Sequence, residues 1–262
     1  MGWSRTKRGK RFLRRAASGA LGLALRMRSR RFGCAGIRRA LVISPHPDDE
    51  TFGCGGTLAA MGSEGVHIYI LFVTDGGASH LGNPAVSRAE MVSLRRAEAR
   101  SAAEALGVDW ANVSFLDVPD GSLAHLSAEQ SSSIVDRISE RLRVVHPDTL
   151  LLPYRNDGSS EHEQSFVLAS RAIGKSGIKP RVLEFPVWSL WNPVLLLPAV
   201  LESGRIWRSR LGSVRATKAR AIACYASQTR AIAPDTRPAL PAGFESMFLG
   251  VEEFLIEHQG NR

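Results

Sequence analysis

The sequence predicts an α/β fold with a mainly parallel sheet and helices on both faces. Short apolar runs rich in β-branched residues alternate with longer segments that carry apolar residues at helical spacing, and this alternation continues through residue 185. Consecutive strand, helix and strand normally form a parallel unit, and repeated units cover both faces of a sheet. Polar clusters follow several runs, as expected at the ligand-binding edge of such a sheet.

Five apolar runs are predicted to be the strands of this sheet. The first run is followed by Pro45 and Pro47, which fix φ and lack an N–H donor, so the strand should end there. The predicted strands are 40–44, 67–74, 113–116, 149–153 and 181–185.

The segments between these runs are predicted to be helices. The clearest is 87–106, which ends before Gly107, a residue that suits a helix C-cap. Its apolar face is predicted to consist of Met91, Leu94, Ala97, Ala102 and Leu106. The other predicted helices open at 53–60 or span 134–145, 163–176 and 218–228.

The pattern changes after Pro186. Residues 186–207 are rich in Trp and Leu and broken by prolines, which predicts core or lid packing. A surface for a lipid-linked substrate or a bilayer is the alternative. A final element is predicted at 244–257. We therefore expect residues 40–262 to form one domain, in which 186–262 is a lid or substrate-binding region.

The positive charge of the chain is concentrated at its N-terminus. The formal net charge is +9, yet residues 1–39 contain 13 Lys and Arg residues and no acidic residue, so the remainder is net acidic. This predicts a basic leader that is either disordered or an amphipathic helix on an anionic membrane surface. Nucleic acid is the less favoured partner. The apolar stripe of the helix would consist of Phe12, Ala16, Ala20, Leu23 and Met27.

The sequence shows neither a disulfide framework nor a membrane span. Cys34, Cys54 and Cys224 are widely spaced without a CxxC pair, which fits free thiols in a reducing compartment. The apolar runs fall short of the about 20 residues that a transmembrane helix needs. We expect a cytoplasmic protein, either free or peripheral on the inner membrane face.

A dense polar cluster follows the first predicted strand. His46, Asp48, Asp49 and Glu50 place one imidazole and three carboxylates in what the sequence predicts to be a tight loop. Carboxylates this close repel one another unless a positive charge neutralises them. Imidazole together with carboxylate suits zinc or another first-row metal, so we expect a divalent cation bound by His46 and Asp49.

A catalytic zinc ion usually has three protein ligands and one open position for water. The best third candidate is His162, which follows the strand 149–153 in a loop rich in Asp, Ser and Gly. His80 is the rival, and could instead contact substrate or support a ligand. The other histidines lack clustered acids or lie at the wrong end of a strand: His67, His125, His146 and His258.

These residue types indicate a hydrolytic reaction. Zinc lowers the pKa of a bound water molecule to about 7, and Asp48 is placed beside the ligand Asp49 to accept the proton of that water. The same carboxyl group could return the proton to a departing amine while the cation polarises the substrate carbonyl. The expected reaction is hydrolysis of an amide or ester.

The stretch Pro45-His46-Pro47-Asp48-Asp49-Glu50, with the following Gly53-Cys54-Gly55-Gly56, resembles the PIG-L/LmbE-like family of zinc-dependent N-acetylglucosaminyl de-N-acetylases. The resemblance extends over roughly residues 40–230. Weaker similarities lie at 73–76, Arg96, Glu98, 106–107, 115–117, 119–121, the His162 loop and 225–228.

The resemblance implies a Rossmann-like fold and removal of an acetyl group from an N-acetylated amino sugar or glycoconjugate. It also implies Zn²⁺, or another divalent first-row metal, held by His46, Asp49 and His162, with Asp48 as the base. Further residues that we expect to contact substrate or to support the site are Glu50, Asp75, His80, Arg96, Arg155, Asp157, Ser159 and Glu161.

The chain departs from the family pattern in its second loop. The family usually has His-Pro-Asp-His, whereas this chain has Ser159-Ser160-Glu161-His162. Because serine carries no positive charge, activity could fall, the substrate could differ, or His80 or Arg155 could substitute. We expect activity to be retained, since the base and all three ligand positions are present. The alternative is a non-catalytic metal- or glycan-binding protein, but such a protein would have no functional reason to keep a base at Asp48.

Overall fold

The computed structural model describes residues 19, 21–201 and 205–257, so much of the predicted basic leader lies outside the described residues. Within these ranges the strands form one eight-stranded sheet. The strands are β1 (Ser29–Arg31), β2 (Arg39–Ser44), β3 (His67–Thr74), β4 (Val113–Val118), β5 (Thr149–Pro153), β6 (Arg181–Phe185), β7 (Arg205–Arg210) and β8 (Glu252–Glu257). Their order across the sheet is β1-β7-β8-β6-β5-β2-β3-β4.

Helices cover both faces of the sheet. They are α1 (residues 21–28), α2 (Asp49–Ser63), α3 (Arg88–Leu106), α4 (Ala128–Val145), α5 (Ser160–Ser176), α6 (Trp188–Trp191), α7 (Leu197–Leu201), α8 (Arg215–Cys224) and α9 (Ala226–Thr229). Short 3₁₀ helices occupy Trp110–Asn112, Leu123–His125, Pro193–Leu196, Gly212–Val214 and Glu245–Met247. The predicted α/β class is confirmed.

Strand β2 lies in the parallel part of the sheet and contributes to the cores on both faces. Ala40 and Val42 pack with residues of α2, α3 and α8, whereas Leu41 and Ile43 pack with residues of α4 and α5. Strand β2 pairs in parallel with β3 and β5, and β8 alone among the described strands runs antiparallel to its neighbours, β6 and β7. The carboxyl ends of β2, β3 and β5 therefore meet at one edge of the sheet.

All five predicted strands are present, and three further strands were missed. Strands β1 and β7 are dominated by arginine and lack the apolar pattern that indicates a strand, while β8 falls within the final predicted element. The predicted helix at 218–228 is divided at Tyr225 into α8 and α9.

Helix α2 begins four residues earlier than predicted. Asp49 and Glu50 lie in its first turn, and Asp48 occupies the N-cap position with φ of 140°. The predicted tight loop is therefore shorter, and two of its three carboxylates lie at a helix N-terminus. Negative charge is stabilised there by the unpaired amide groups of the first turn.

Capping boxes determine where two of the helices begin. Helix α3 begins after Ser87, which forms a capping box with Glu90, so this predicted helix is confirmed. Helix α4 begins six residues before the predicted start, because Ser127 and Gln130 form a second capping box ahead of the apolar periodicity.

The second half of the predicted leader packs on the domain. Helix α1 buries Leu21 and Leu25 in a cluster with Tyr154 and Ile206, and β1 then pairs with β7 at the edge of the sheet. The predicted boundary between residues 39 and 40 thus falls inside β2, and the predicted leader contributes β1 to the same sheet. In the part of the chain that the structure describes, each helix is too short or too polar to cross a membrane.

Helix α2 packs closely against the sheet through two glycines. A Cβ atom on Gly53 would lie 2.3 Å from Cδ2 of Phe185, and one on Gly56 would lie 2.4 Å from Cδ2 of Leu211. Contacts this short force neighbouring side chains to move. The glycines of this helix therefore permit a close approach that also positions its first turn.

We expect Gly56→Ala to lower the free energy of unfolding by about 1–3 kcal/mol, because overpacking displaces Leu211. The matched control is Gly62→Ala in the same helix, where a Cβ meets no atom within 4 Å. The control should stabilise the protein by about 0.5–1 kcal/mol through helix propensity. Denaturant titration measures both values, and equal effects of the two variants would contradict the packing argument.

Candidate active site

Two helix N-termini bring the predicted metal ligands together at the carboxyl edge of the sheet. His46 follows β2, Asp49 is the first residue of α2, and His162 lies in the first turn of α5 after β5. Because β2 and β5 are parallel neighbours, the two segments that follow them converge. The predicted convergence of the two loops is thus seen in the structure.

The three side chains are spaced as ligands of one cation would be. Oδ2 of Asp49 lies 3.0 Å from Nδ1 of His46 and 3.2 Å from Nε2 of His162. One ligand atom from each residue lies within 4.8 Å of the others. Nε2 of His162 is buried and has no hydrogen-bond partner among the described residues. Two imidazoles and one carboxylate, with an orphaned ring nitrogen, fit zinc or another first-row divalent metal.

Electrostatics within this cluster favour the charged forms of its members. Burial alone would raise the pKa of Asp49, but His162 and His46 outweigh burial and hold that pKa below its usual range. Burial would lower the pKa of His162, yet Asp49 and Asp157 raise it to about 9. With the imidazoles protonated, their positive charge balances the buried carboxylates. A bound cation would take the place of these protons, because a metal-binding imidazole is neutral.

Asp157 lies against the ring of His162 on the side away from Asp49. Its Oδ2 lies 2.8 Å from Nδ1 of His162, on the side of the ring opposite Asp49. Asp157 is itself held by amide groups, since Oδ1 accepts from the backbone N–H groups of Val187 and Ser189. Carboxylates in this position select the tautomer and orientation of a metal-binding imidazole. The predicted supporting role of Asp157 remains a prediction that this geometry favours.

We expect Asp157→Asn to weaken Zn²⁺ binding about 10–100-fold, because the amide cannot supply the carboxylate charge to His162. Asp148→Asn is the matched control, since Asp148 also accepts from two backbone amides, those of Arg38 and Arg39, but outside the cluster. The control should lose stability without losing metal affinity. Competition with a chromophoric chelator measures the affinity; unchanged binding by Asp157→Asn would remove its supporting role.

Asp48 lies beside the ligand cluster and pairs with Arg95. Oδ1 of Asp48 is 3.3 Å from Nη2 of Arg95, which also donates to the carbonyl oxygen of Pro47. Burial raises the pKa of Asp48 to about 7 although Arg95 acts in the opposite direction. A carboxylate with that pKa is matched to proton transfer near neutral pH.

Arg95 was missed in the sequence, whereas the neighbouring Arg96 was selected. Arg95 is only 2% exposed and lines the site. Arg96 lies over the ring of Phe115 and pairs with the half-exposed Asp117, away from the ligand cluster. Of the expected apolar face of α3, Met91, Ala102 and Leu106 are buried but Leu94 and Ala97 are exposed. Arg95 and Glu98 are buried instead. Arg95 lies four residues after Met91, on the same face of the helix, and this spacing was the sequence signal that could have identified it.

Glu50 supports the backbone of the site from behind. Its Oε2 accepts from the N–H of Asp48, and its Oε1 accepts from the hydroxyl groups of Tyr225 and Thr51. Burial raises the pKa of Glu50. Through these bonds Glu50 holds the strained N-cap residue of α2 in place.

Three other predicted residues lie outside the cavity. Asp75 pairs with Arg88 and accepts from the N–H of Asp120. The ring of His80 is 2.7 Å from the carbonyl oxygen of Ser227. Arg155 pairs with the buried carboxylate of Glu184. His80 and Arg155 are therefore not placed to replace the histidine missing from the second loop.

A cavity of about 290 Å³ opens in front of the ligand cluster. Its polar lining includes Ser159, whose side chain forms no cap hydrogen bond, and Asp120, which sequence reasoning also missed. The predicted lid or substrate-binding region supplies most of the apolar wall, although it also contributes β7 and β8. The apolar wall consists of Phe52, Val187, Trp188, Ala239, Leu240 and Phe244.

Comparisons with known proteins agree with this geometry. The family model PIG-L, described as GlcNAc-PI de-N-acetylase, matches residues 41–173. Diacetylchitobiose deacetylase of Thermococcus kodakarensis is 29% identical over 142 residues, which cover 54% of this chain and 51% of that protein. The probable N-acetyl-α-D-glucosaminyl L-malate deacetylase 2 of Bacillus cereus is 27% identical over 202 residues, covering 76% of this chain and 87% of that protein.

Solved structures share the fold. The 4-carboxy-2-hydroxymuconate hydratase GalB of Pseudomonas putida superposes with a TM-score of 0.63 at 20% identity, covering 86% of this chain and 97% of that one. The fold alone thus does not specify deacetylation. The chain spans about half the length of the archaeal deacetylase. Because the family model covers half of the chain, including both segments that carry the ligand cluster, the protein belongs to the PIG-L family of de-N-acetylases.

Proposed function

We propose that the protein is a divalent-metal-dependent hydrolase that removes the acetyl group from an N-acetylated amino sugar or glycoconjugate. The observation that carries the proposal is the convergence of His46, Asp49 and His162, the first two of which line the cavity together with Asp48. The names of the relatives, which are deacetylases of N-acetylated sugars, support the choice of substrate class.

The proposed mechanism assigns the metal to the three-residue cluster and proton transfer to Asp48. A bound Zn²⁺, or another first-row divalent cation, would polarise the acetyl carbonyl and acidify a water molecule. Asp48 accepts the proton of the attacking water and then returns it to the amine nitrogen as the C–N bond breaks. Arg95 holds Asp48 in position. Its Nη1 is buried, has no hydrogen-bond partner in the described part of the chain, and can donate to a substrate oxygen.

The cavity suits a sugar that carries its acetamido group inward. Its volume of about 290 Å³ and its openness to the cluster allow one sugar residue to reach Asp48. The half-buried Trp188 lines the cavity with its ring packed on that of the buried Phe244, the centroids being 4.9 Å apart, and an aromatic ring of this kind packs well against the apolar face of a pyranose. Ser159 offers a neutral hydroxyl where the family has a histidine. It can orient the substrate, but it cannot donate a proton as a protonated imidazole would.

Acetate release from defined substrates tests the proposed function. N-Acetylglucosamine, N,N'-diacetylchitobiose and N-acetylglucosaminyl malate form the panel, with N-acetylated lysine as the non-sugar control. We expect acetate from at least one sugar, loss of that activity after chelation, and recovery on adding Zn²⁺. A metal-loaded protein that releases no acetate from any sugar would favour the non-catalytic alternative instead.

We also propose that an anionic membrane surface is a partner of the N-terminal segment. On α1, Leu21 and Leu25 face the core, whereas Leu23 and Met27 are 60% and 79% exposed and lie one turn apart. The first 39 residues carry only positive charge. An exposed apolar pair within a basic segment matches the headgroup region of an anionic bilayer.

Vesicle sedimentation of the full chain tests this partner. We expect binding to phosphatidylglycerol vesicles that exceeds binding to phosphatidylcholine vesicles and falls with salt. The double variant Leu23→Ser, Met27→Ser should lower binding, whereas Val144→Ser, at an exposed apolar position on α4, should not. Equal binding to both lipids, or tighter binding to duplex DNA, would contradict the proposal.

A further inference from the structure

His46 faces carboxylates on both sides of its ring. Nδ1 points to Asp49 in the ligand cluster already described. Nε2, the other ring nitrogen, lies 3.1 Å from Oδ1 of Asp120 and 3.8 Å from Oε2 of Glu161. These separations are similar to those between ligand atoms that surround one small cation at about 2.0–2.2 Å. One ligand atom from each of the three residues lies within 4.8 Å of the other two.

The two carboxylates are held in place by backbone groups. Oδ2 of Asp120 accepts from the N–H of Ala78. Oε1 of Glu161 accepts from the N–H of Leu123 at 2.9 Å. In each residue one oxygen is thus anchored, which leaves the other oxygen near the ring of His46. Side chains fixed in this way form a preorganised site rather than a loose acidic patch.

Glu161 has an oxygen that the surrounding residues leave unsatisfied. The residue is 8% exposed, and its Oε2 is buried without a hydrogen-bond partner among the described residues. A buried carboxylate oxygen without a partner is costly. An N–H group at Nε2 of His46 donating to Asp120 would explain Asp120 as an orienting residue, but would leave this oxygen of Glu161 without a partner.

We infer that Nε2 of His46, Asp120 and Glu161 form a second site for a divalent first-row cation, adjacent to the His46–Asp49–His162 site. One imidazole and two carboxylates suit zinc, manganese or iron in its divalent state. When both sites are filled, the imidazole of His46 bridges them as an imidazolate, and its ring proton is released to solvent. Because His46 and Asp120 line the cavity, the second ion lies at the edge of the substrate cavity. This inference goes beyond the proposed function, which requires one cation.

Equilibrium dialysis of the full chain against Zn²⁺, followed by metal analysis, tests the second site. We expect two ions per chain in the parent, the second bound more weakly, and one in Glu161→Gln. Glu163→Gln is the matched control on the same helix, because Glu163 contacts the N–H of Gly158 rather than His46, and it should retain two ions. If Glu161→Gln does not fold, as judged by circular dichroism, Asp120→Asn replaces it with the same expectation.

The bridge itself has a spectroscopic signature. After loading with Cu²⁺, two ions joined by one imidazolate should couple magnetically, so the integrated paramagnetic signal of the parent should fall below that of two isolated ions. Glu161→Gln should show the signal of one isolated ion. One ion per chain in the parent, or two in Glu161→Gln, would overturn the second site and leave the proposed function intact. A parent that binds no ion would overturn both.

Discussion

Asp48→Asn is expected to lower the rate of acetate release about 10²–10⁴-fold, because the amide cannot accept the proton of the attacking water. The side chain is not one of the three clustered ligands, so the variant should still bind the cation. Its volume is nearly unchanged, and Arg95 can still donate to the oxygen of the amide. Acetate assays and metal analysis on the same preparation show whether activity falls because the proton acceptor is missing or because the cation no longer binds.

The matched control for this prediction is Asp117→Asn. Asp117 is also an aspartate at the carboxyl end of a strand, but it is half-exposed and pairs with Arg96 away from the cavity. The control should therefore retain the parental rate. A parental rate in Asp48→Asn would exclude Asp48 as the base, and loss of the bound cation in that variant would instead make Asp48 a ligand.

The parallel core of the fold was predictable because its strands are buried on both faces. Runs such as 40–44 and 149–153 are almost wholly apolar, and the helices between them carry clear spacing and caps. The antiparallel β8, the edge strand β1 and its neighbour β7 were not predictable in this way. Their residues are partly exposed and rich in charge, so their pairing depends on contacts distant in sequence.

The candidate metal ligands could be predicted from the sequence, whereas two other polar residues of the site, Arg95 and Asp120, were missed. His46, Asp49 and His162 follow strands that neighbour each other in the sheet, so strand order alone brings them together. Arg95 and Asp120 reach the cavity from α3 and from the segment after β4, and their roles depend on which face of each element is buried. The family resemblance pointed to Arg96, and the predicted apolar face of α3 did not include the position of Arg95.

The position of α2, and with it that of Asp49, depends on a buried ion pair that the sequence did not reveal. Lys218 is 1% exposed, and its Nζ donates to the carbonyl oxygen of Phe52 and to Oε1 of Glu253. The carboxylate of Glu253 also accepts from the N–H groups of Gly56 and Thr57 in the middle of α2. The ion pair between Lys218 and Glu253 thus links α2 to α8 and β8.

Lys218→Met should lower the free energy of unfolding by about 3–5 kcal/mol, because it leaves the charge of Glu253 buried without a counterion. Lys175→Met is the matched control, since Lys175 pairs with Asp136 at a half-exposed position and should cost about 0–1 kcal/mol. Denaturant titration at neutral pH measures both variants.

The double variant Lys218→Met, Glu253→Gln separates lost charge balance from lost packing. Glutamine keeps an oxygen that can accept from the backbone of α2, and it removes the unpaired charge. The double variant should therefore be more stable than Lys218→Met alone, which is the behaviour of a buried pair whose main cost arises when one partner is missing. If the double variant is no more stable than Lys218→Met alone, Lys218 acts through its hydrogen bond to the carbonyl oxygen of Phe52 and its contact with the ring of Phe248 rather than by balancing the charge of Glu253. Asp49 would then be positioned by the apolar core of α2.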